Sequence, residues 1–164
     1  MVRALHSELR RIVSGGQTGV DRGALDAAIE FGLEHGGWCP KGRRAEDGTI
    51  PSRYELDETT SIDYQVRTEL NVVDSDGTLI LFRAQLLGGT LLTYRLARRH
   101  RKPCLRVDTE SSVDVAGIMD WLQRHRIEVL NVAGPRESSV PGISEVARRL
   151  VMSLLTFPAN PPGG

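Results

Sequence analysis

The sequence has few of the residues that mark secreted, metal-binding or membrane proteins. It contains only two cysteines, Cys39 and Cys104, and neither stands in a Cys-x-x-Cys pair or beside a histidine pair. This pattern argues against a disulfide framework and a zinc site, and it predicts two buried thiols. No apolar run approaches the roughly 20 residues that span a bilayer, and residues 1–11 are too polar for a signal peptide. We therefore expect a cytoplasmic protein with no membrane partner and no bound structural metal.

The chain also lacks an excess of charge. Lys and Arg together number 21, as do Asp and Glu, so the formal net charge is zero. The basic surface that general nucleic-acid binding requires is missing, and no nucleic-acid partner is expected. Hydrophobic residues make up 40% of the 164 residues, which is typical of one globular domain. We expect this domain to span residues 1–157 and residues 158–164 to form a flexible tail.

What the chain does contain is a glycine-rich turn near its start, between an apolar run at 12–13 and a helical pattern at 24–31. A glycine loop between a strand and a helix favours anion binding, since the first N–H groups of a helix have no intrahelical partners. Neither Gly-x-Gly-x-x-Gly nor Gly-Lys-Ser/Thr is present, so neither a classical dinucleotide fold nor a nucleoside triphosphatase is supported. A structural turn with Asp21 as the helix N-cap is the alternative. The candidate ligand contacts in this turn are Gly15, Gly16, Gln17, Thr18, Gly19 and Asp21.

Alternating patterns along the chain predict its fold class. Short, nearly continuous apolar runs at 77–82, 103–107 and 128–132 are typical of parallel strands covered on both faces. Helical patterns lie between and after them, at 62–73, 90–100, 113–126 and 143–155. With a strand at 12–13 and a short one around Trp38, about five strands are available. We predict an α/β protein with a Rossmann-like, doubly wound, mainly parallel sheet flanked by helices, in which ligands bind beyond the carboxyl ends of the strands.

Two later loops follow predicted strands and carry groups suited to a ligand. The loop after residue 82 ends in Gly88, Gly89 and Thr90 and leads straight into a helix, which makes a second anion-receptive helix start. The loop after residue 132 contains Gly134 and Arg136. Because the two loops follow successive strands, we expect them to converge with the first glycine loop on one site.

A fourth candidate region is the long connection at 36–48. Lys41 and Arg43 are suited to binding phosphate or another oxyanion, although a solvated surface loop is the alternative. Glu46 and Asp47 follow, and they either position these cations or bind ligand hydroxyl and amine groups. The helical pattern at 63–74 could also bring Thr68 and Asn71 toward the site, or it forms an ordinary amphipathic surface.

Taken together, these segments resemble the molybdenum-cofactor carrier family, within the wider group of Rossmann-like, lysine-decarboxylase-like nucleotide-binding proteins. The resemblance rests on residues 14–26, 35–48 and 67–71, with agreement at Gly88-Gly89-Thr90 and Lys102-Pro103-Cys104-Leu105. The block Gly-Gly-Trp-Cys-Pro-Lys-Gly-Arg-Arg-Ala-Glu-Asp-Gly at 36–48 is specific. The match covers most of the region from residue 11 to residue 155.

The resemblance implies a binding protein rather than an enzyme. Its ligand would be molybdenum cofactor, a phosphate-bearing pterin dithiolene with a molybdenum centre, which the protein stores or delivers to recipient molybdoenzymes. Under this interpretation the loop at 15–19 holds the phosphate and Lys41 and Arg43 face the molybdenum head, while Glu46, Asp47 or Asn71 hold the pterin edge. The family also implies a homo-oligomer, and the apolar helical pattern at 146–155 favours one.

Two alternative functions share the same loops. Gly88-Gly89-Thr90 resembles the Pro-Gly-Gly-x-Gly-Thr loop of lonely-guy-type phosphoribohydrolases, which cleave nucleoside monophosphates. That family continues with catalytic acidic residues where this chain has Leu91-Leu92-Thr93-Tyr94. A hydrolase would therefore need Glu46, Asp47 or Glu69 as its general base. The other alternative is a sensor that binds a nucleotide or an ADP-ribose-like signal without turning it over.

Overall fold

A computed structural model describes residues 9–158, which form nine strands and five helices. The strands are β1 (Arg11–Val13), β2 (Glu34–Gly36), β3 (Trp38–Cys39), β4 (Arg44–Ala45), β5 (Gly48–Thr49), β6 (Asp57–Glu58), β7 (Gly77–Phe82), β8 (Cys104–Asp108) and β9 (Val129–Ala133). The helices are α1 (Val20–Phe31), α2 (Tyr64–Val73), α3 (Gly88–Arg99), α4 (Val115–Arg124) and α5 (Ile143–Leu155).

The centre of the fold is a five-stranded parallel sheet with the order β2-β1-β9-β7-β8. In register, Ile12 of β1 lies beside Leu130 of β9, and Leu79 of β7 lies beside Val132 of β9. The last strand is thus inserted between the first strand and β7. The carboxyl ends of β1, β9 and β7 consequently lie side by side, and the loops that follow them meet at one edge of the sheet.

Helices cover both faces of this sheet, which confirms the predicted doubly wound α/β fold. Side chains from α1, α4 and α5 share one core cluster with Leu79 and Leu81 of β7. Val72 of α2 and Leu96 of α3 belong to a separate cluster. Because alternate side chains of a strand point to opposite faces, a central strand such as β7, buried along nearly its whole length, reads as one continuous apolar run.

The fifth central strand is not the one that the sequence predicts. The central sheet uses β2, whose Glu-His-Gly sequence has no apolar pattern, whereas Trp38 begins β3 and pairs in parallel with β6 outside that sheet. The connection between β2 and α2 is also less irregular than expected. It contains the short antiparallel pair of β4 and β5, and Cys39, Ile50 and Tyr54 form a small core with Leu25 of α1.

The apolar face of α5 is covered within the chain. Its buried side chains pack mainly against α1, and the partly buried Val146 and Met152 join the same cluster. The exposed large hydrophobic side chains in the described part of the chain lie elsewhere, at Ile29, Ile62, Val66, Val73 and Leu87. The α5 pattern therefore gives no support for the expected homo-oligomer.

Both cysteines are free thiols, and burial raises the pKa of each. Cys39 is fully buried as predicted, whereas Cys104 is only half-buried and has a pKa of about 11. Across residues 9–158, no helix combines the length and the apolar character needed to cross a membrane. The predicted tail at 158–164 lies outside the described residues except for Pro158.

Candidate functional site

A cavity of about 880 Å³ opens at the carboxyl ends of β1, β7 and β9. Its volume is in the range of small-molecule sites, and its position is the one at which doubly wound sheets bind ligands. The loops after these three strands contribute to its wall together with α2 and the start of α3. The sequence-predicted residues that line it are Gly15, Gln17, Asp21, Thr68, Asn71, Gly88, Gly89, Thr90, Gly134 and Arg136.

The remaining predicted residues do not line this cavity. They are Gly16, Thr18, Gly19, Lys41, Arg43, Glu46 and Asp47. Conversely, sequence reasoning did not select several residues that do line it, among them Tyr64, Arg67, Arg83, Gln85 and Asn131. Tyr64 stands in the polar helical pattern at 63–74, where any exposed helix face would carry such a residue. Arg67 lies in the segment 67–71 that carries the family resemblance, but it was not selected as a ligand contact.

The first glycine loop closes on itself instead of presenting free donors. The main-chain N–H of Gln17 donates to Asp21 Oδ2 at 3.1 Å, and that of Thr18 donates to Gln17 Oε1 at 3.1 Å. The N–H of Gly16 points to Ser14 Oγ at 3.5 Å. Because these groups already have acceptors in the protein, the loop is not the open anion cradle that its composition predicts.

The glycines of this loop allow close packing. Gly19 has φ +83° and is itself the N-cap of α1, so Asp21 does not cap the helix with its side chain as the alternative interpretation proposed. A Cβ atom on Gly19 would overlap the carbonyl oxygen of Pro135, and one on Gly15 would overlap the guanidinium of Arg67. Both glycines thus let the β1–α1 loop lie against neighbouring backbone and side chains.

Asp21 and Arg67 form a buried ion pair behind this loop. Arg67 Nη1 lies 3.6 Å from Asp21 Oδ2, and each side chain is only 10% exposed. The same Nη1 donates to the carbonyl oxygen of Gly15 at 2.8 Å. Burial raises the pKa of Asp21, and the positive charge of Arg67 opposes that rise. Arg67 therefore ties α2 to the β1–α1 loop across 52 residues of sequence.

Three arginines surround the ring of Tyr64 at the start of α2. The guanidinium carbons of Arg44, Arg67 and Arg136 lie 5.3, 5.2 and 5.4 Å from the ring centroid. Arg67 and Arg136 also line the cavity. Within residues 9–158, Arg44 and Arg136 make no ion pair with a carboxylate. In this part of the wall Arg136 is therefore a cation without an ion-pair partner among the described residues, held close to an aromatic face.

The second predicted helix start is open to the cavity. The main-chain N–H groups of Gly88 and Gly89 donate to no acceptor among the described residues, whereas that of Thr90 bonds to the carbonyl of Leu87 at 3.1 Å. A Cβ atom on Gly89 would meet nothing within 4 Å. The amino end of α3 thus presents unpaired donors and a positive dipole end to open space in the cavity wall.

Arg43 serves the fold of the long connection. Its guanidinium donates to the carbonyl oxygens of Ile50 at 3.2 Å, Pro51 at 2.9 Å and Tyr54 at 2.7 Å. These bonds hold the chain that follows β5 and leave Arg43 outside the cavity lining. Lys41 is exposed and also lies outside the lining. The predicted oxyanion clamp of Lys41 and Arg43 is therefore not assembled.

Replacing Arg43 with alanine is expected to lower the free energy of unfolding by about 2 kcal/mol, because four carbonyl groups, that of Leu56 among them, lose a charged donor. Affinity for an anionic ligand of the cavity is expected to stay unchanged. Denaturant unfolding and calorimetric binding measure the two effects, with Lys41→Ala as a control that changes neither. A loss of affinity for anionic ligands, at unchanged stability, would instead return Arg43 to the ligand site.

Glu46 and Asp47 act as partners of residues in and near the first loop. Asp47 binds Arg22 of α1 through two bonds of 2.6 and 2.8 Å. Glu46 accepts a bond of 2.6 Å from Thr18 Oγ1, and hydrogen bonds from Ser138 and Thr18 lower its pKa. The two carboxylates hold the glycine loop and α1, and among the described residues neither forms an ion pair or hydrogen bond with the neighbouring cations that they were expected to position.

Asn71 and Thr68 line the cavity with side chains that already have partners. Asn71 binds the main chain of Trp38 on both sides, accepting from its N–H at 2.8 Å and donating to its carbonyl at 2.9 Å. Thr68 Oγ1 donates to the carbonyl oxygen of Tyr64 at 2.8 Å. Asn71 consequently fixes β3 against α2.

This arrangement defines a class of protein. A parallel, doubly wound sheet with a cavity at the ends of its central strands is a Rossmann-like fold, in which small-molecule sites occur at this position. Residues 12–155 match the family model described as the circularly permutated YpsA SLOG family, and the chain belongs to that family.

A solved structure gives the closer comparison. The chain is 44% identical to the putative molybdenum carrier protein from Syntrophus aciditrophicus SB, whose crystal structure it matches with a TM-score of 0.86. The match covers 91% of this chain and 96% of that protein. It confirms the resemblance that the sequence motifs indicate and the fold that they predict. Among curated proteins no significant match is found.

Proposed function

We propose that the protein is a cytoplasmic carrier that binds molybdenum cofactor in the cavity at the strand ends and passes it to recipient molybdoenzymes. One observation carries the proposal. The cavity has two separate positive features, the open amino end of α3 and the arginines around Tyr64, in a volume of about 880 Å³. A ligand that carries two distinct anionic groups, such as the phosphate and the molybdenum head of the cofactor, suits this arrangement.

The terminal phosphate of the cofactor is assigned to the start of α3. Gly88 and Gly89 present unpaired N–H groups there, and the open space above Gly89 lets an oxyanion approach the backbone. Arg83 lies in the same wall and adds a positive side chain. This assignment moves the phosphate from the first glycine loop, whose donors are already used, to the second.

The molybdenum end of the cofactor is assigned to the arginines near Tyr64. Its oxo groups carry negative charge, and Arg67 and Arg136 are the cations that reach the cavity from α2 and from the loop after β9. Recognition through arginine leaves the metal bound to its own dithiolene. The cargo can then be released intact, which a carrier requires.

Nucleotide binding without turnover is the second candidate, because the amino end of α3 suits a nucleotide phosphate equally well. The hydrolase alternative has less support. Its candidate bases Glu46, Asp47 and Glu69 do not line the cavity, and Glu69 lies 3.0 Å from His100 Nε2. The carboxylates that line the cavity are Asp21, already held by Arg67, and Asp63.

The assignment of the phosphate is tested by placing a carboxylate at the start of α3. Gly89→Asp is expected to weaken binding of isolated molybdenum cofactor about tenfold or more, because the new charge repels the phosphate in the same open space. Gly89→Asn is the matched control, since it has the same size without the charge. Binding is measured anaerobically by fluorescence of the pterin.

The two variants separate an electrostatic effect from a steric one. The proposal requires that Gly89→Asn bind much better than Gly89→Asp, while neither variant unfolds at a lower denaturant concentration than the parent protein. Equal affinity of Gly89→Asp and the parent would show that the phosphate binds elsewhere.

A further inference from the structure

The carboxamide of Gln17 is held in one orientation. Its Oε1 accepts two main-chain hydrogen bonds, from Thr18 N–H at 3.1 Å and from Glu46 N–H at 2.9 Å. A nitrogen at that position would face two donors, so the oxygen must lie there and Nε2 must point the other way. Because the two backbone amides fix the position of Oε1, the opposite side of the Gln17 carboxamide presents the Nε2 donor and no acceptor.

This donor has no acceptor within residues 9–158. Gln17 is 5% exposed, and its Nε2 is buried without a hydrogen-bond partner among the described residues. An unpaired buried donor costs roughly 1–3 kcal/mol, so native structures rarely retain one without a reason. Gln17 also lines the cavity. A ligand atom that accepts a hydrogen bond is the partner that this geometry lacks.

A fixed carboxylate lies in the same wall. Asp21 lines the cavity, and its Oδ2 accepts the main-chain N–H of Gln17 at 3.1 Å. Burial raises the pKa of Asp21, and Arg67, 3.6 Å away, opposes that rise. The wall thus combines a buried donor from Gln17 with a buried acceptor from Asp21.

We infer that Gln17 and Asp21 read the lactam edge of an oxo-heterocycle, the adjacent C=O and N–H of a pterin or guanine ring. Gln17 Nε2 donates to the ring carbonyl, and Asp21 accepts from the neighbouring ring N–H. An amino-substituted ring, as in adenine, reverses both groups, so its amine faces a donor and its ring nitrogen faces a carboxylate. The inference rests on the proposed function in one respect, that this cavity is the ligand site.

Two pairs of probes test the inference on the purified protein. GMP and AMP share the ribose phosphate and differ at the ring edge. 6-Hydroxymethylpterin and its 4-amino analogue share the pterin ring system and differ at the same edge. The parent protein is expected to bind the lactam member of each pair about tenfold or more tightly than the amino member, because a site built around a buried donor rejects a ligand that leaves it unpaired.

Gln17→Glu is the decisive variant. A glutamate keeps an oxygen for the Thr18 and Glu46 amides and replaces the inward donor with an acceptor, so the preference is expected to shift toward the amino members. Gln17→Met removes the donor without adding charge and is expected to abolish the preference. It replaces the glutamate variant in the test if that variant does not fold. Calorimetry measures affinity, and thermal unfolding checks the fold of each variant.

The outcomes distinguish this inference from the carrier proposal. Lactam preference without retention of molybdenum cofactor would support the inference and remove the carrier role. Retention of the cofactor with equal affinity for both members of each pair would overturn the inference and leave the carrier role intact. Lack of binding by every probe, or an unchanged preference in both Gln17 variants, would also overturn it.

Discussion

Replacing Arg67 with methionine is expected to lower the free energy of unfolding by about 3 kcal/mol or more, since it leaves the buried carboxylate of Asp21 without its cation. The variant also removes the donor to the carbonyl of Gly15, a bond of 2.8 Å. Methionine keeps most of the volume of the side chain, so the loss reports mainly charge and hydrogen bonding. Denaturant unfolding at neutral pH measures it.

The double variant Arg67→Met with Asp21→Asn is the control for this interpretation. Neutralising Asp21 removes the unpaired charge, so the double variant is expected to be more stable than Arg67→Met alone. If the two substitutions instead destabilise the protein additively, the 3.6 Å pair contributes no coupling, and Arg67 acts through packing alone.

Gly19→Ala is expected to lower the free energy of unfolding by at least about 3 kcal/mol or to prevent folding. The substitution forces an alanine into the left-handed region at φ +83° and drives its Cβ atom into the main chain at Pro135. Because the obstacle is backbone, no rotamer change can relieve the overlap. The β1–α1 loop and the loop after β9 would have to separate, and both form part of the cavity wall.

Gly142→Ala is the matched control for Gly19→Ala. Gly142 is also a helix N-cap, with φ +89°, but a Cβ atom there would meet nothing within 4 Å. Gly142→Ala is expected to lower the free energy of unfolding only by the cost of placing an alanine at positive φ, about 1–2 kcal/mol. The larger loss expected for Gly19→Ala, measured by denaturant unfolding, combines the close approach of the two loops with the stricter need for glycine at ψ −131°, against −5° at Gly142. Equal losses would mean that strain alone explains both.

Most of the fold could be predicted from the sequence because buried helices and strands have characteristic patterns of hydrophobic residues. The run at 77–82 corresponds to β7, whose residues are buried along nearly its whole length, and the pattern at 143–155 corresponds to α5. The strand β2 left no such record. Its residues Glu34 and His35 lie at the edge of the sheet, where one neighbouring strand and partial exposure suffice.

The candidate site was only partly predictable, because donor availability depends on side chains that arrive from a distance. Composition alone predicted free N–H groups in the loop at 15–19, yet the carboxylate of Asp21 folds back onto Gln17 and Arg67 fills the space beside Gly15. At Gly88 and Gly89 no such side chain arrives, and the predicted anion-receptive helix start remains open. Arg43 was likewise predicted to be a free cation. In the structure it donates to three carbonyl groups of residues 50–54, a contact that its local sequence does not reveal.

The most direct test of the account is anaerobic incubation of the purified protein with isolated molybdenum cofactor, followed by desalting and assay of retained molybdenum and pterin. AMP and ADP-ribose serve as competitors. We expect stoichiometric retention of both molybdenum and pterin, which neither nucleotide displaces and which Gly89→Asp reduces. Loss of the cofactor on desalting, with nucleotides bound in its place, would contradict the carrier role and assign the cavity to nucleotide sensing.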